Sequence, residues 1–324
     1  MDAIKIMDLT RKFGSMTAVD RINFSIRKGE IFGLLGPNGA GKTTTLMMLS
    51  TLLKPTSGSA TVNGFDVMSQ PSKVRESIGM VFQDPSSDDT LTGYENLKLH
   101  ALMYDLPLKS IDKKIDMVLT LVDLKDRKKD IVKKYSGGMR RRLEIARGLL
   151  HEPHILFLDE PTLGLDPQTR DHIWDYIEDL AKRMGMTIIL TTHYMEEADK
   201  LCDRVAIIDH GKIVALDTPR NLKRKVGGDI VILKGKDICV EDLKKLPFVN
   251  KIERHDHMLK LWVEDQGKNI QELLRVACRV DYVEAHTPDL NDVFLHYTGR
   301  QIREEEGGNM DFLRNMTKAR QNNK

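Results

Sequence analysis

The sequence has no apolar run approaching the ~20 residues that cross a bilayer, and its opening, MDAIKIMDLT, lacks the apolar stretch of a secretory signal. The expectation is a chain that stays in the cytoplasm. Charge of one sign is lacking too: 50 basic residues stand against 48 acidic ones, for a formal net charge of +2. No overall field therefore favours nucleic acid or an anionic membrane as the principal partner. Cysteine is scarce. Cys202, Cys239 and Cys278 are far apart, odd in number and without nearby histidines, which favours reduced thiols packed as small hydrophobes over disulfides or a zinc site. There is no internal repeat and no sustained heptad pattern.

What is present is an ordinary globular composition, 40% hydrophobic and 30% charged, in a chain of 324 residues. That length predicts two domains. Up to about residue 220, short β-branched runs alternate with helical stretches, the pattern of an α/β fold with a parallel or mixed sheet flanked by helices. Three of the runs, IFGLL, ILFL and TIILT, are apolar on both faces, as buried central strands are. Between residues 84 and 135 the strand pattern lapses into a polar, helix-rich insert. Thr92 and Glu95 there have capping-box spacing ahead of a Leu97, Ala101, Tyr104 stripe. Residues 221–300 read β-α-β-β-α-β, the ferredoxin-like order of a small α+β accessory domain, closed by a helix over 289–297. The charged, glycine-interrupted residues 301–324 predict a flexible tail.

The sharpest local signal is GPNGAGKT. Gly36, Pro37, Asn38, Gly39, Ala40, Gly41, Lys42 and Thr43, followed by Thr44, lie after a buried strand and open a helix, the context in which a P-loop cradles phosphate. Lys42 is expected to reach the β- and γ-phosphates of ATP, and Thr43 to offer its hydroxyl to Mg2+. The strand ILFLDE ends in Asp159 and Glu160 at the carboxyl edge of the sheet, where open α/β folds bind ligands. Asp159 fits a Mg2+ partner. Glu160 fits a general base toward water. Taken alone, adjacent acids after a strand read equally well as a solvated turn.

YSGGMRRRLEIARGLL, residues 135–150, resembles the signature segment of ATP-binding cassette (ABC) ATPases, the ATP-binding subunits of membrane transporters. Its local chemistry stands without the family. Ser136 opens a helix, and Gly137 and Gly138 allow close backbone approach, so free N–H groups form an anion site. The resemblance implies more: a homodimer in which each ATP lies between the P-loop of one copy and Ser136, Gly137 and Gly138 of the other, docked on a separate integral membrane permease. It likewise implies that Gln83 touches Mg2+ and the attacking water, that His193 contacts the γ-phosphate, that Asp166 lies at the dimer seam, and that Phe13 stacks on adenine. PDLNDVFLHYTGR, residues 288–300, resembles the ending of daunorubicin-resistance export subunits, which implies drug export and a peripheral place at the inner membrane face. Tyr135 and Met139 depart from the commoner LSGGQ. A soluble relative acting in translation or DNA maintenance is the alternative, but the long coiled coil, zinc-cysteine module or second cassette of such proteins is missing from the sequence.

Overall fold

The computed structural model describes residues 1–235, 238–255 and 258–299. The expected tail at 301–324 lies outside them. The described chain divides into two compact units, with the boundary in the sequence between Leu216 and Asp217.

In the first unit, β1 (Asp2–Phe13), β2 (Met16–Arg27), β4 (Ser57–Val62) and β5 (Phe65–Asp66) make an antiparallel sheet in the order β2-β1-β4-β5. The second sheet has the order β10-β9-β3-β8-β7-β6, from β3 (Ile31–Leu35), β6 (Ile78–Val81), β7 (Ile155–Asp159), β8 (Thr187–Thr192), β9 (Arg204–Asp209) and β10 (Lys212–Asp217). Pairing from β9 through β6 is parallel. As their two-sided apolar sequence predicts, β3, β7 and β8 are buried along their whole length. Helices α1 (Lys42–Leu49), α2 (Pro71–Ser77), α6 (Pro167–Met184) and α7 (Met195–Leu201) accompany this sheet. The core joins both sheets to α1, from Ile4 and Leu9 through Leu46 and Met48 to Phe157 and Ile208. The single expected sheet is thus two, because β1 and β2 alternate buried and exposed residues and form a face of their own.

The insert is helical: α3 (Gly93–Met103) and α4 (Leu108–Leu121) precede α5 (Gly137–Leu149). The capping box is formed. Thr92 Oγ1 accepts from the Glu95 N–H, and Glu95 Oε2 accepts from the Thr92 N–H. Leu97 and Ala101 are buried as the stripe predicts, whereas Tyr104 falls at the helix end, partly exposed, and stacks on His151.

The second unit contains α8 (Pro219–Lys225), β11 (Asp229–Lys234), α9 (Val240–Leu243), β12 (Val249–His255), β13 (Met258–Val263), α10 (Gln266–Val276), β14 (Tyr282–His286) and α11 (Leu290–Thr298). Its antiparallel sheet has the order β12-β13-β11-β14, the ferredoxin-like arrangement. Val231, Leu233, Leu259, Leu261 and Val263 pack one face against α9 and α10. The expectation of reduced, separate thiols fails here: Cys239 and Cys278 are disulfide-bonded, with Cα atoms 5.7 Å apart. Backbone pairing explains the meeting. Ile238 bridges Cys278, and the Cys239 N–H donates to Ala277 O, which sets the start of α9 beside the end of α10. Cys202 alone is free and buried.

Candidate nucleotide site

The P-loop leaves β3 at Gly36 and enters α1 at Lys42. Its backbone fits only glycine at two points: Gly41 has φ +107°, and a β-carbon on Gly36 would stand 2.2 Å from Ile208 O. The first N–H groups of α1 have no partner within the helix, which leaves them for an anion. Lys42 is buried and donates to Gly36 O at 2.7 Å and Pro37 O at 3.1 Å, curling over its own loop.

Parallel register brings the carboxylates alongside, since β7 and β8 are neighbours and β8 also borders β3. Asp159 Oδ1 accepts from Thr43 Oγ1 at 3.1 Å and Thr191 Oγ1 at 2.6 Å. Burial raises the Asp159 carboxyl above its ordinary value, against the pull of those two hydroxyls. Thr43 and Asp159 are hard oxygen donors of the type Mg2+ takes. Among the described residues no three His, Cys, Asp or Glu side chains converge on a metal position. Two such oxygen donors side by side fit an ion that leaves most of its coordination to phosphate and water.

Glu160 lies next to this pair, with Oε1 3.3 Å from Lys42 Nζ and Oε2 3.3 Å from His193 Nδ1. The His193 contact is close enough for attraction but lacks the alignment of a hydrogen bond. Burial pushes the Glu160 carboxyl up, yet His193 and the Lys42 ammonium outweigh it and hold it below its usual value. At Lys42 the balance tips the other way: burial dominates, and its pKa falls despite Glu160. Glu160 also holds φ at +46°, a left-handed conformation that costs a non-glycine residue about 1–3 kcal/mol. Its N–H is fixed by Thr191, donating to Oγ1 at 3.0 Å and to the carbonyl at 3.2 Å.

The structure thus brings Lys42, Thr43, Asp159, Glu160 and His193 into one cluster. Gln83 stands two residues beyond β6, which ends at Val81 and not at the glutamine itself, because the chain turns there into the insert. Phe13 ends β1 beside the β1–β2 turn, under the Arg11 guanidinium at 4.5 Å. Arg11 pairs with Val19, and Val19 borders Gly41, so the hairpin carrying Phe13 reaches the P-loop.

Ser136 begins α5 and accepts from the Met139 N–H at 3.3 Å. Gly137 and Gly138 lie against Leu165 and Thr169, where a β-carbon on Gly138 would stand 2.5 Å from the Thr169 methyl. Asp166 caps α6, accepting from the Thr169 N–H at 3.0 Å. These contacts form a second surface, separate from the P-loop's neighbours Ala18, Val19 and Ile208.

Among the buried charged residues that sequence reading missed are Arg141 and Glu144. Arg141 belongs to a run of three arginines that looks like a basic helix surface, yet it is only 6% exposed. Its spacing from buried Gly138, Ile145 and Gly148 is the signal that places it on the inward face. Glu144, also buried, accepts from Ser86 Oγ and the Ser87 N–H and pairs with Arg147, tying α5 to the segment after Gln83.

No helix among the described residues is long and apolar enough to cross a membrane. The profile of the ABC transporter family matches residues 19–163, and that of the "ATP-binding protein DrrA1-3-like, C-terminal domain" matches residues 218–298. The daunorubicin/doxorubicin resistance ATP-binding protein DrrA of Streptomyces peucetius is 42% identical, over 92% of this chain and 92% of its own. The linearmycin resistance ATP-binding protein LnrL of Bacillus subtilis is 39% identical, over 92% of this chain and 98% of its own. Among solved structures, a dimeric ATP-binding cassette in a post-hydrolysis state with ADP and phosphate is 27% identical and superposes with a TM-score of 0.59, covering 66% of this chain and 98% of that one. With such relatives along nine-tenths of its length, the chain belongs to the ABC transporter family, among the ATP-hydrolysing subunits that carry a DrrA-like C-terminal domain.

Proposed function

We propose that the chain acts as a homodimer on a separate membrane permease and drives export of drug-like compounds by closing around two ATP molecules. The observation that carries this reading is the convergence of Lys42, Thr43, Asp159, Glu160 and His193 on one sheet edge, while Ser136 to Gly138 offer a second anion surface elsewhere. An ATP γ-phosphate needs neutralisation from several sides. A two-fold pair of chains supplies it, with the helix start of one copy facing the P-loop of the other. The resistance roles in the relatives' names support a drug-like cargo.

In this reading the P-loop amides and Lys42 hold the phosphates, Phe13 stacks on the base, and Asp166 lies at the seam. Mg2+, held by Thr43 and Asp159 with Gln83 close by, would neutralise phosphate charge during transfer. Glu160 accepts a proton from the attacking water. Its depressed pKa keeps it ionised for that task, and His193 orients its carboxylate and contacts the γ-phosphate. Closure moves the α3–α4 insert, which passes the motion to the permease, and loss of the γ-phosphate lets the halves part.

Glu160→Gln tests the reading. Turnover should fall about 10²- to 10⁴-fold, while ATP drives the protein to a dimer on a sizing column. Near-normal turnover, or a chain that stays monomeric with ATP, would overturn it.

A further inference from the structure

Arg141 is the fifth residue of α5 and almost fully buried. All three arms of its guanidinium donate to main-chain carbonyls: Nε to Pro161 O at 2.6 Å, Nη1 to Phe82 O at 2.5 Å, and Nη2 to Asp159 O at 3.0 Å. Two of those carbonyls flank Glu160. The third belongs to the residue before Gln83.

Burying a cation is costly, and an apolar side chain of similar volume often fills such a place with equal or better stability. The acids around Arg141 are Glu144, Glu197, Asp159 and Glu160. Its donors nevertheless go to carbonyls, and Glu144 is occupied by Ser86, Ser87 and Arg147. What the planar fork adds over a neutral filler is fixed geometry at three points. Glu160 needs it, because a left-handed residue persists only where its surroundings over-determine it. Thr191 holds the Glu160 N–H from one side. Arg141 holds the carbonyls of the residues before and after it, Asp159 and Pro161, from the other.

We propose that Arg141 is a positioning residue for hydrolysis, a strut that joins the phosphate-facing start of α5 to the backbone on both sides of Glu160 and to Phe82, the residue between β6 and Gln83. Through it, seating Ser136 on a partner's nucleotide sets the carboxylate that receives the water's proton. The inference rests on the reading of Glu160 as base.

The test uses the full chain with Arg141→Lys, which keeps the charge but not the fork, and Arg141→Gln, which keeps two N–H donors without charge. ATP affinity of each variant and ATP-driven dimerisation of each in a Glu160→Gln background are measured beside kcat. Positioning predicts kcat down about 10- to 100-fold, the cost of a misplacement near 1 Å, with ATP Kd within about 3-fold and the dimer retained. Arg141→Lys turning over within about 3-fold of wild type would overturn the proposal. So would equal losses of affinity, dimer and kcat, which mark a purely structural role. If Glu160→Gln alone retains turnover, the reading of Glu160 fails, whatever the Arg141 variants do.

Discussion

Tyr135 and Gly93 share one space: the Tyr135 hydroxyl donates to Arg127 O at 2.9 Å, and a β-carbon on Gly93 would stand 2.4 Å from that hydroxyl. The tyrosine that replaces the commoner leucine of the signature is thus a buried strut of the insert, linking the start of α3 to the turn before α5. Gly93→Ala should destabilise by about 1–3 kcal/mol through overpacking, and Tyr135→Phe by about 1 kcal/mol through loss of the hydrogen bond. Because removing the hydroxyl also relieves the clash, the double variant should be less damaged than the sum. Urea unfolding of the four proteins measures the coupling, and simple additivity would refute the contact.

Lys42→Met should lower ATP affinity at least about tenfold, a loss of one charged phosphate contact, as read by titration with a fluorescent ATP analogue. It also removes one of two basic neighbours of a buried carboxylate. In wild type the depressed Glu160 pKa contributes stability that is present above its unfolded value near 4.3 and is lost as pH falls through the lower folded value. The variant loses part of that contribution. Its stability deficit should therefore be largest at neutral pH and shrink as pH approaches 4, and a deficit independent of pH would contradict the pairing.

The Cys239–Cys278 bond spans 39 residues of sequence, and loop-closure entropy assigns such a cross-link about 3–4 kcal/mol. Cys278→Ser should lower the stability of the second unit by that amount without reductant. Dithiothreitol should bring wild type down to the variant. Hydrogen exchange at β11 and β13 amides reports this unit, and wild-type protection indifferent to reductant would mean that the bond does not form.

The central strands and the P-loop were legible because each is a contiguous run whose pattern states its burial: β3 carries no polar residue, β7 none until Asp159, and β8 has an apolar centre, Ile188 to Leu190. The capping box of α3 was legible for the same reason. The β-α-β-β-α-β order also came through, since strand and helix periods alternate there without interruption. Arg141, the Tyr135–Gly93 contact and the disulfide were not, because each depends on which distant segments meet. Cys239 and Cys278 stand far apart in sequence, and the antiparallel bridge at Ile238 and the Cys239 N–H bond to Ala277 O bring them together. Nothing local distinguishes Arg141 from its neighbours Arg140 and Arg142 except its place in the helical period. Short elements also escaped: β5 has two residues, and α8 is a single basic stretch after Pro219.

Helix α8 decides where the chain can be cut. Asp217 accepts from the Thr218 N–H, Asn221 and Lys225, and α8 then packs on α11 within the second unit. Among the described residues, one core cluster in the first unit runs from Ala3 to Ile208 and one in the second from Val231 to Ala277, and the two share no residue. A chain ended after Asp217 should therefore fold and bind ATP within about threefold of wild type, as independent cores allow. A cut near residue 229 keeps α8 but removes α11, stranding the buried Leu222, and this longer fragment should be the more aggregation-prone of the two. Static light scattering and ATP titration of both fragments check the order. If the shorter one aggregates and the longer one does not, α8 is part of the first unit's core.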